Sequence, residues 1–214
     1  MGSIAAEIGA ARSTVSLWVR DIPLSEEQQA ALEAADPVAS RRRTGQLAWS
    51  RMNRQARLEA QAHGRELARA GSALHQAGCM LFWAEGSKHR NNVTFTNADA
   101  DMVRFFLRFL RECYAVGDDQ VALSVNCHLG HGLAIEEIER WWLARLDLPA
   151  TCLRAPAVNR TSSASKRVRR PLVHGTARIT VNSTAIVQSI YGAIQEYAEC
   201  TRPEWAELGL DARG

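Results

Sequence analysis

No apolar run in this sequence approaches the eighteen or more residues of a membrane-spanning helix, and no charged and apolar leader precedes its first motif. Those absences predict a cytoplasmic, nucleoid-associated protein with no membrane partner. Cysteine is scarce and scattered: Cys79, Cys113, Cys127, Cys152 and Cys200 are odd in number, with no C-x-x-C pair. A disulfide framework or a zinc ribbon is therefore not expected. Cys127 and His128 with His131 could form part of a metal site. A strand-end cysteine beside two loop histidines is the preferred reading, because no second ligand pair is visible. Acid is missing altogether between Asp147 and Glu196, where Arg154, Arg160, Lys166, Arg167, Arg169, Arg170 and Arg178 stand unbalanced. Proline is missing from residues 39 to 70.

What remains is ordinary in bulk. The 214 residues are 46% hydrophobic and 23% charged, enough for one large domain or two small ones with a real core. The net charge of +3 hides segregation. Residues 1 to 40 carry two basic and six acidic side chains, whereas residues 41 to 70 carry arginine at 41, 42, 43, 51, 54, 57, 65 and 69 against Glu59 and Glu66. Two basic tracts on a mildly basic chain are the expected footprint of phosphate contacts, and double-stranded DNA is the expected partner. A solvated helix face and a flexible loop are the alternative, weaker for the second tract because it has no acids.

The opening stretch MGSIAAEIGAARSTVSLWVRDIPL reads as the core of a helix-turn-helix. Ile4 to Ile8 is a short amphipathic run, Gly9 stands where a positive φ is needed, and Arg12 or Ser13 opens a second helix. Val15 and Trp18 are its expected inward anchors. Arg12, Ser13, Thr14, Ser16, Leu17 and Arg20 then face outward, as a recognition helix presents them to a major groove. The stretch resembles the resolvase-type and terminase-type helix-turn-helix families, without the helix that usually precedes such a pair. A plain helical hairpin is the alternative.

Pro23 stops that helix, and Ser25 with Gln28 forms a capping box for a short third helix ended by Pro37. Residues 39 to 70 read as one long, positively charged helix whose apolar residues are too sparse for a core of their own. Beyond it the pattern is mixed. A helix runs from about Gly71 to Gly86, VTFTN is a strand, and a helix follows with Met102, Val103, Phe106, Leu107 and Leu110 on one face. DQVALSVNCHL is a strand, AIEEIERWWLARL a helix, TCLRAPAV a strand, and NRTSSASKRVRRPLVHG a basic excursion. TARITVN is a strand, and the last helix is capped by Ser183. VTFTN and RITVNS, each followed by a helix, echo one another. The tail from Thr201 is loosely specified.

In the helix before Gly86, Ala70, Ala73, Ala77 and Ala84 form a small-residue seam, and Glu85 stands at the tip. Two such tips on a two-fold axis would pair their carboxylates, an arrangement able to hold divalent metal against a phosphate. The segment MLFWAEGSK resembles the signature of the LAGLIDADG homing-endonuclease fold, which ends in Ala-acid-Gly. The likeness covers roughly residues 70 to 199. It implies an α+β fold with an antiparallel sheet lying in the DNA major groove, and a homodimer through the helix ending at Glu85. It also implies Glu85 as the ligand of a catalytic Mg2+, with Lys88 and Arg90 near the phosphate. Met80 replaces the family's glycine, Glu replaces Asp, the hairpin SKHRNNVTFT is short, a helix at 134 to 146 is extra, and only one motif is present.

The expected organisation is a helix-turn-helix over 1–38, a basic helical linker over 39–70, a LAGLIDADG-like α+β domain over 71–200 and a tail over 201–214. The expected function is sequence-specific DNA binding of a transcription-regulator kind, with no certain cofactor. The alternatives are a Mg2+-dependent endonuclease, in which Glu85 and Lys88 are catalytic, and a generic α+β interaction module. The expected DNA-binding residues are Arg12, Ser13, Thr14, Ser16, Arg20, Arg41, Arg42, Arg43, Lys88, Arg90, Arg160, Lys166, Arg167, Arg169, Arg170 and Arg178.

Overall fold

The computed structural model describes residues 2–20, 22–23, 25–28, 31, 37–129, 133–160 and 172–207. They form a mixed α+β protein in two compact units, Met1–Arg51 and Met52–Gly214.

In the first unit, α1 (Gly2–Glu7) and α2 (Arg12–Trp18) are joined through Gly9, whose φ of +66° is open to glycine without strain. Ala5 and Val15 are buried between them. Trp18, expected as an inward anchor, is instead 61% exposed, and Leu17 is exposed beside it. Helical spacing aligns Trp18 with Val15, but a seven-residue helix against a six-residue one covers a single side chain. The Ser25–Gln28 capping box is present, with reciprocal bonds of 3.0 and 3.2 Å. Pro37 opens α3 (Pro37–Arg69), a position that suits proline because the first-turn N–H has no helical partner.

The second unit begins inside α3, at Met52. The expected linker is therefore structural from there on: Arg57, Gln61, Gly64 and Ala68 are all buried. The chain continues through α4 (Ala73–Glu85), β1 (Gly86–Ser87), β2 (Val93–Asn97), α5 (Ala100–Tyr114), β3 (Val121–Leu129) and α6 (Ile135–Leu146). It ends with β4 (Ala157–Arg160), β5 (Thr176–Val181) and α7 (Thr184–Tyr197). Local chemistry sets the ends. Ser72 Oγ accepts from His75 N at 3.3 Å, Asp99 Oδ1 from Asp101 N at 2.8 Å, and Ser183 Oγ from Ile186 N at 3.3 Å. The strand expected over TCLRAPAV starts only at Ala157 and runs on to Arg160, because Ala150–Cys152 makes a 3-10 turn after Pro149.

The sheet order is β1-β2-β5-β3-β4, with the first three pairings antiparallel and β3–β4 parallel. The two echo strands, β2 and β5, are direct neighbours, with Phe95 opposite Ile179 and Thr94 opposite Thr180. One face of the sheet carries Val93, Phe95, Val121, Leu123, Val125, Cys127, Ala177, Ile179 and Val181, each at most 2% exposed. The helices pack on β2, β3 and β5. The core is aromatic: Phe95 stacks on Phe106 at 4.4 Å, and Phe82, Phe109 and Tyr191 extend the cluster. Burial of side chains this large is the main source of stability.

Two features of the packing bear on the expected organisation. The alanines at 70, 73, 77 and 84 are all exposed, so the expected seam stays on the surface of the single chain, and α4 approaches α5 closely through Gly78, where a Cβ would collide with the Phe109 ring. The tail is also better ordered than its composition suggests. Pro203–Ala206 forms a 3-10 turn, Trp205 packs on Tyr191 at 5.0 Å, and Arg57 Nε donates to Ala206 O at 2.6 Å.

Candidate nucleic-acid interface

Strands alternate their side chains, so the register that buries Phe95 and Ile179 turns their neighbours the other way. Across the second face run the rows Ser87–Thr94–Thr180–Ala122, Thr96–Arg178–Ser124 and Thr176–Asn126. Every polar group in these rows is a hydroxyl, an amide or a guanidinium, and none is an acid. Arg178 is exposed at the centre, between Thr96 and Ser124, and makes no hydrogen bond or ion pair to another described residue. The sequence alternation in VTFTN and TARITVN carries this polar face as plainly as the apolar one. Only Arg178 was expected from it in advance, because the register that aligns the three strands is a long-range property.

The tip of α4 lies at the edge of this sheet. Gly86 is extended, with φ −76°, and a side chain there would meet the Phe82 ring, so glycine is needed for close approach rather than for a left-handed turn. Glu85, the last helical residue, is exposed. Lys88 does not reach outward as expected. The chain reverses after Gly86, and Nζ donates to Phe82 O at 3.1 Å, Trp83 O at 2.9 Å and Gly86 O at 2.7 Å. All three ammonium protons thus satisfy carbonyls at the helix end, where a cation is also favoured by the dipole. Burial lowers the Lys88 pKa and the nearby Glu85 charge partly restores it.

A lone carboxylate does not hold a divalent cation, and no three His, Cys, Asp or Glu side chains converge on a point among the described residues. The described residues of one copy therefore bring no such ligand group together. Cys127 is buried under the sheet, while His131 lies outside the described residues. Asp99 and Asp101 are accounted for at the start of α5, as N-cap and first-turn acid.

The other expected contacts are dispersed. Arg12, Ser13 and Ser16 are exposed on α2, Thr14 is half-buried beside them, and Arg20 is exposed just beyond. Arg42 is exposed on α3, where Arg41 and Arg43 also lie, and Arg160 ends β4. Lys166, Arg167, Arg169 and Arg170 fall outside the described residues; their segment links β4 to β5 in the chain. Part of the first basic tract serves the fold. Arg69 forks onto Glu196 at 2.7 and 3.0 Å, and Arg54 and Arg57 share Glu207 at 2.8 and 3.2 Å. Comparison with protein families, curated proteins and solved structures returned no match to the chain.

Proposed function

We propose that the protein binds double-stranded DNA as a transcription-regulator-like dimer, using the polar sheet face around Arg178 for groove contact and α2 for sequence preference. The observation that carries this reading is the acid-free polar sheet face with Arg178 at its centre. Hydroxyls and amides match the donors and acceptors on base edges, and an uncompensated guanidinium matches guanine or phosphate. The dimer rests on the exposed side of α4, where Ala73, Gln76, Ala77, Trp83 and Ala84 present no charge. Small residues there let a second copy of the helix approach closely.

The test is fluorescence anisotropy of a labelled duplex at several salt concentrations. Affinity should fall by orders of magnitude between about 50 and 200 mM salt if six or more phosphates are contacted. Arg178→Ala should weaken binding throughout, by roughly 1–3 kcal/mol on a preferred site if the contact is to a base. Salt-independent binding, or an unchanged Arg178→Ala affinity, would refute the reading.

A second reading, a homodimeric Mg2+-dependent endonuclease, is favoured by one observation: Glu85 is exposed at the tip of that same uncharged helix. It requires the acids of two copies, since one copy offers a single carboxylate. Incubating a plasmid library with protein and magnesium separates the two. The regulator reading expects no cutting. Discrete double-strand breaks lost in Glu85→Gln would establish the nuclease instead.

A further inference from the structure

Arg90 Nε is the only buried side-chain nitrogen or oxygen without a hydrogen-bond partner among the described residues. Its surroundings are crowded with positive charge. Gln188 Nε2 donates to Arg90 O at 3.0 Å and to Trp205 O at 3.2 Å, so one side chain ties the Arg90 loop to the tail. Arg57, only 7% exposed, bonds that tail at Ala206 O and Glu207 Oε2. Arg54 takes the other Glu207 oxygen at 2.8 Å. One carboxylate therefore serves two guanidiniums, and the third, Arg90, has none. Arg90 sits close enough to Arg57 to lower its pKa, in addition to the larger effect of burial.

We propose that Arg57 and Arg90 form an oxyanion site that takes a phosphate group. A guanidinium with a buried, unbonded N–H lacks an acceptor, and the second arginine, Arg57, shares its one carboxylate with Arg54. A tetrahedral phosphate supplies acceptor and counter-charge, because its oxygens accept the guanidinium fork in pairs. The site lies at the junction of α3, the Arg90 loop and the tail, on residues that none of the sheet-face rows includes. Its existence does not depend on the DNA reading, although a DNA backbone phosphate and free phosphate share the chemistry it selects.

Thermal melting of the full chain in increasing inorganic phosphate, with sodium chloride holding ionic strength constant, tests it. The expected result is a saturable rise in Tm, as for any ligand that binds only the folded state. Arg90→Gln should abolish the rise, and Arg90→Lys, which keeps the charge but not the fork, should weaken it. Phosphorus-31 line broadening on the wild-type protein checks binding without any variant. No rise and no broadening, or a rise undiminished in Arg90→Gln, overturns the proposal. Arg178→Ala should leave the phosphate response intact, so failure of the sheet-face reading remains separable. The source follows from duplex binding. A salt slope reduced by about one in Arg90→Gln assigns the site to backbone phosphate, whereas an unchanged slope assigns it to free phosphate.

Discussion

Gly192 of α7 lies directly against the carbonyl of Gln61 on α3. The same crossing has Gly64 of α3 against the carbonyl of Ser189, so each helix offers a missing side chain to the other's backbone. Gln61 Nε2 donates to Gln188 Oε1 at 2.8 Å and Gln195 Nε2 to Gln61 Oε1 at 3.3 Å, closing a buried amide network over the contact. Backbone atoms cannot rotate aside as a side chain can. Gly192→Ala should therefore cost about 1–3 kcal/mol or more, read as a lower urea midpoint at unchanged slope. Gly64→Ala should cost a similar amount, and the double variant less than the sum, because both act on one crossing.

Lys88→Met should behave as a stability variant. It leaves the carbonyls of Trp83 and Gly86 without that donor, while Phe82 O keeps the Gly86 N–H, and a loss of about 1 kcal/mol is expected by denaturation. The salt slope of DNA binding should not change. A slope reduced by about one would mean that the ammonium leaves the helix end to reach a phosphate.

His75 is buried with Nδ1 at 2.8 Å from Tyr197 Oη and Nε2 at 3.0 Å from Tyr114 Oη, and Cys79 Sγ lies 3.7 Å away. Burial lowers its pKa, so the folded chain keeps the ring neutral where the unfolded chain already binds a proton. The stability it supports is complete above the unfolded value near 6.5 and is lost as pH falls below it. The slope for one proton is about 1.4 kcal/mol per pH unit. Chemical denaturation between about pH 7.5 and 5 should show this loss, and His75→Gln should flatten it. The Arg69–Glu196 pair holds the Glu196 carboxyl below its usual range, so its contribution disappears only at more acid pH.

If α4 is the dimer face, Ala77→Glu should disrupt association, because it sets a buried carboxylate against its own copy. Sedimentation should show wild-type dimers, at least on DNA, and a monomeric variant with unchanged melting, since Ala77 is exposed within one chain. A wild-type protein that is monomeric both free and on DNA would remove the dimer.

On α2, Arg12→Ala should cost about 1–3 kcal/mol on a preferred site and much less on random duplex. Equal losses on the two would reassign Arg12 to a phosphate.

Elements whose signals are local were legible from the sequence. Val93–Asn97 follows from alternation, Ser72, Asp99 and Ser183 from cap chemistry, and Gly9 from the turn it makes possible. What failed depended on contacts that local pattern does not encode. Periodicity puts Trp18 on the face of Val15 but cannot say whether anything covers it. Composition marks Lys88 as a cation but not that the reversal after Gly86 folds it back on its own helix. Arg54, Arg57 and Arg69 counted as a basic tract until Glu207 and Glu196, more than a hundred residues later, met them. The polar sheet face was half legible: each strand shows its alternation, but only the register aligns Thr96, Arg178 and Ser124.

The position of β5 fixes when the sheet can exist during synthesis. It is the last strand to leave the ribosome and the middle one of the finished sheet, pairing with β2 on one side and β3 on the other. Until Val181 has emerged, the chain holds only two separate two-stranded fragments, β1–β2 and β3–β4, each too small to persist in water. The apolar faces of α5 and α6 must wait through that interval without a completed sheet beneath them. Nascent chains arrested before Thr176 should therefore be the ones that recruit chaperones, and those released after Tyr197 should not.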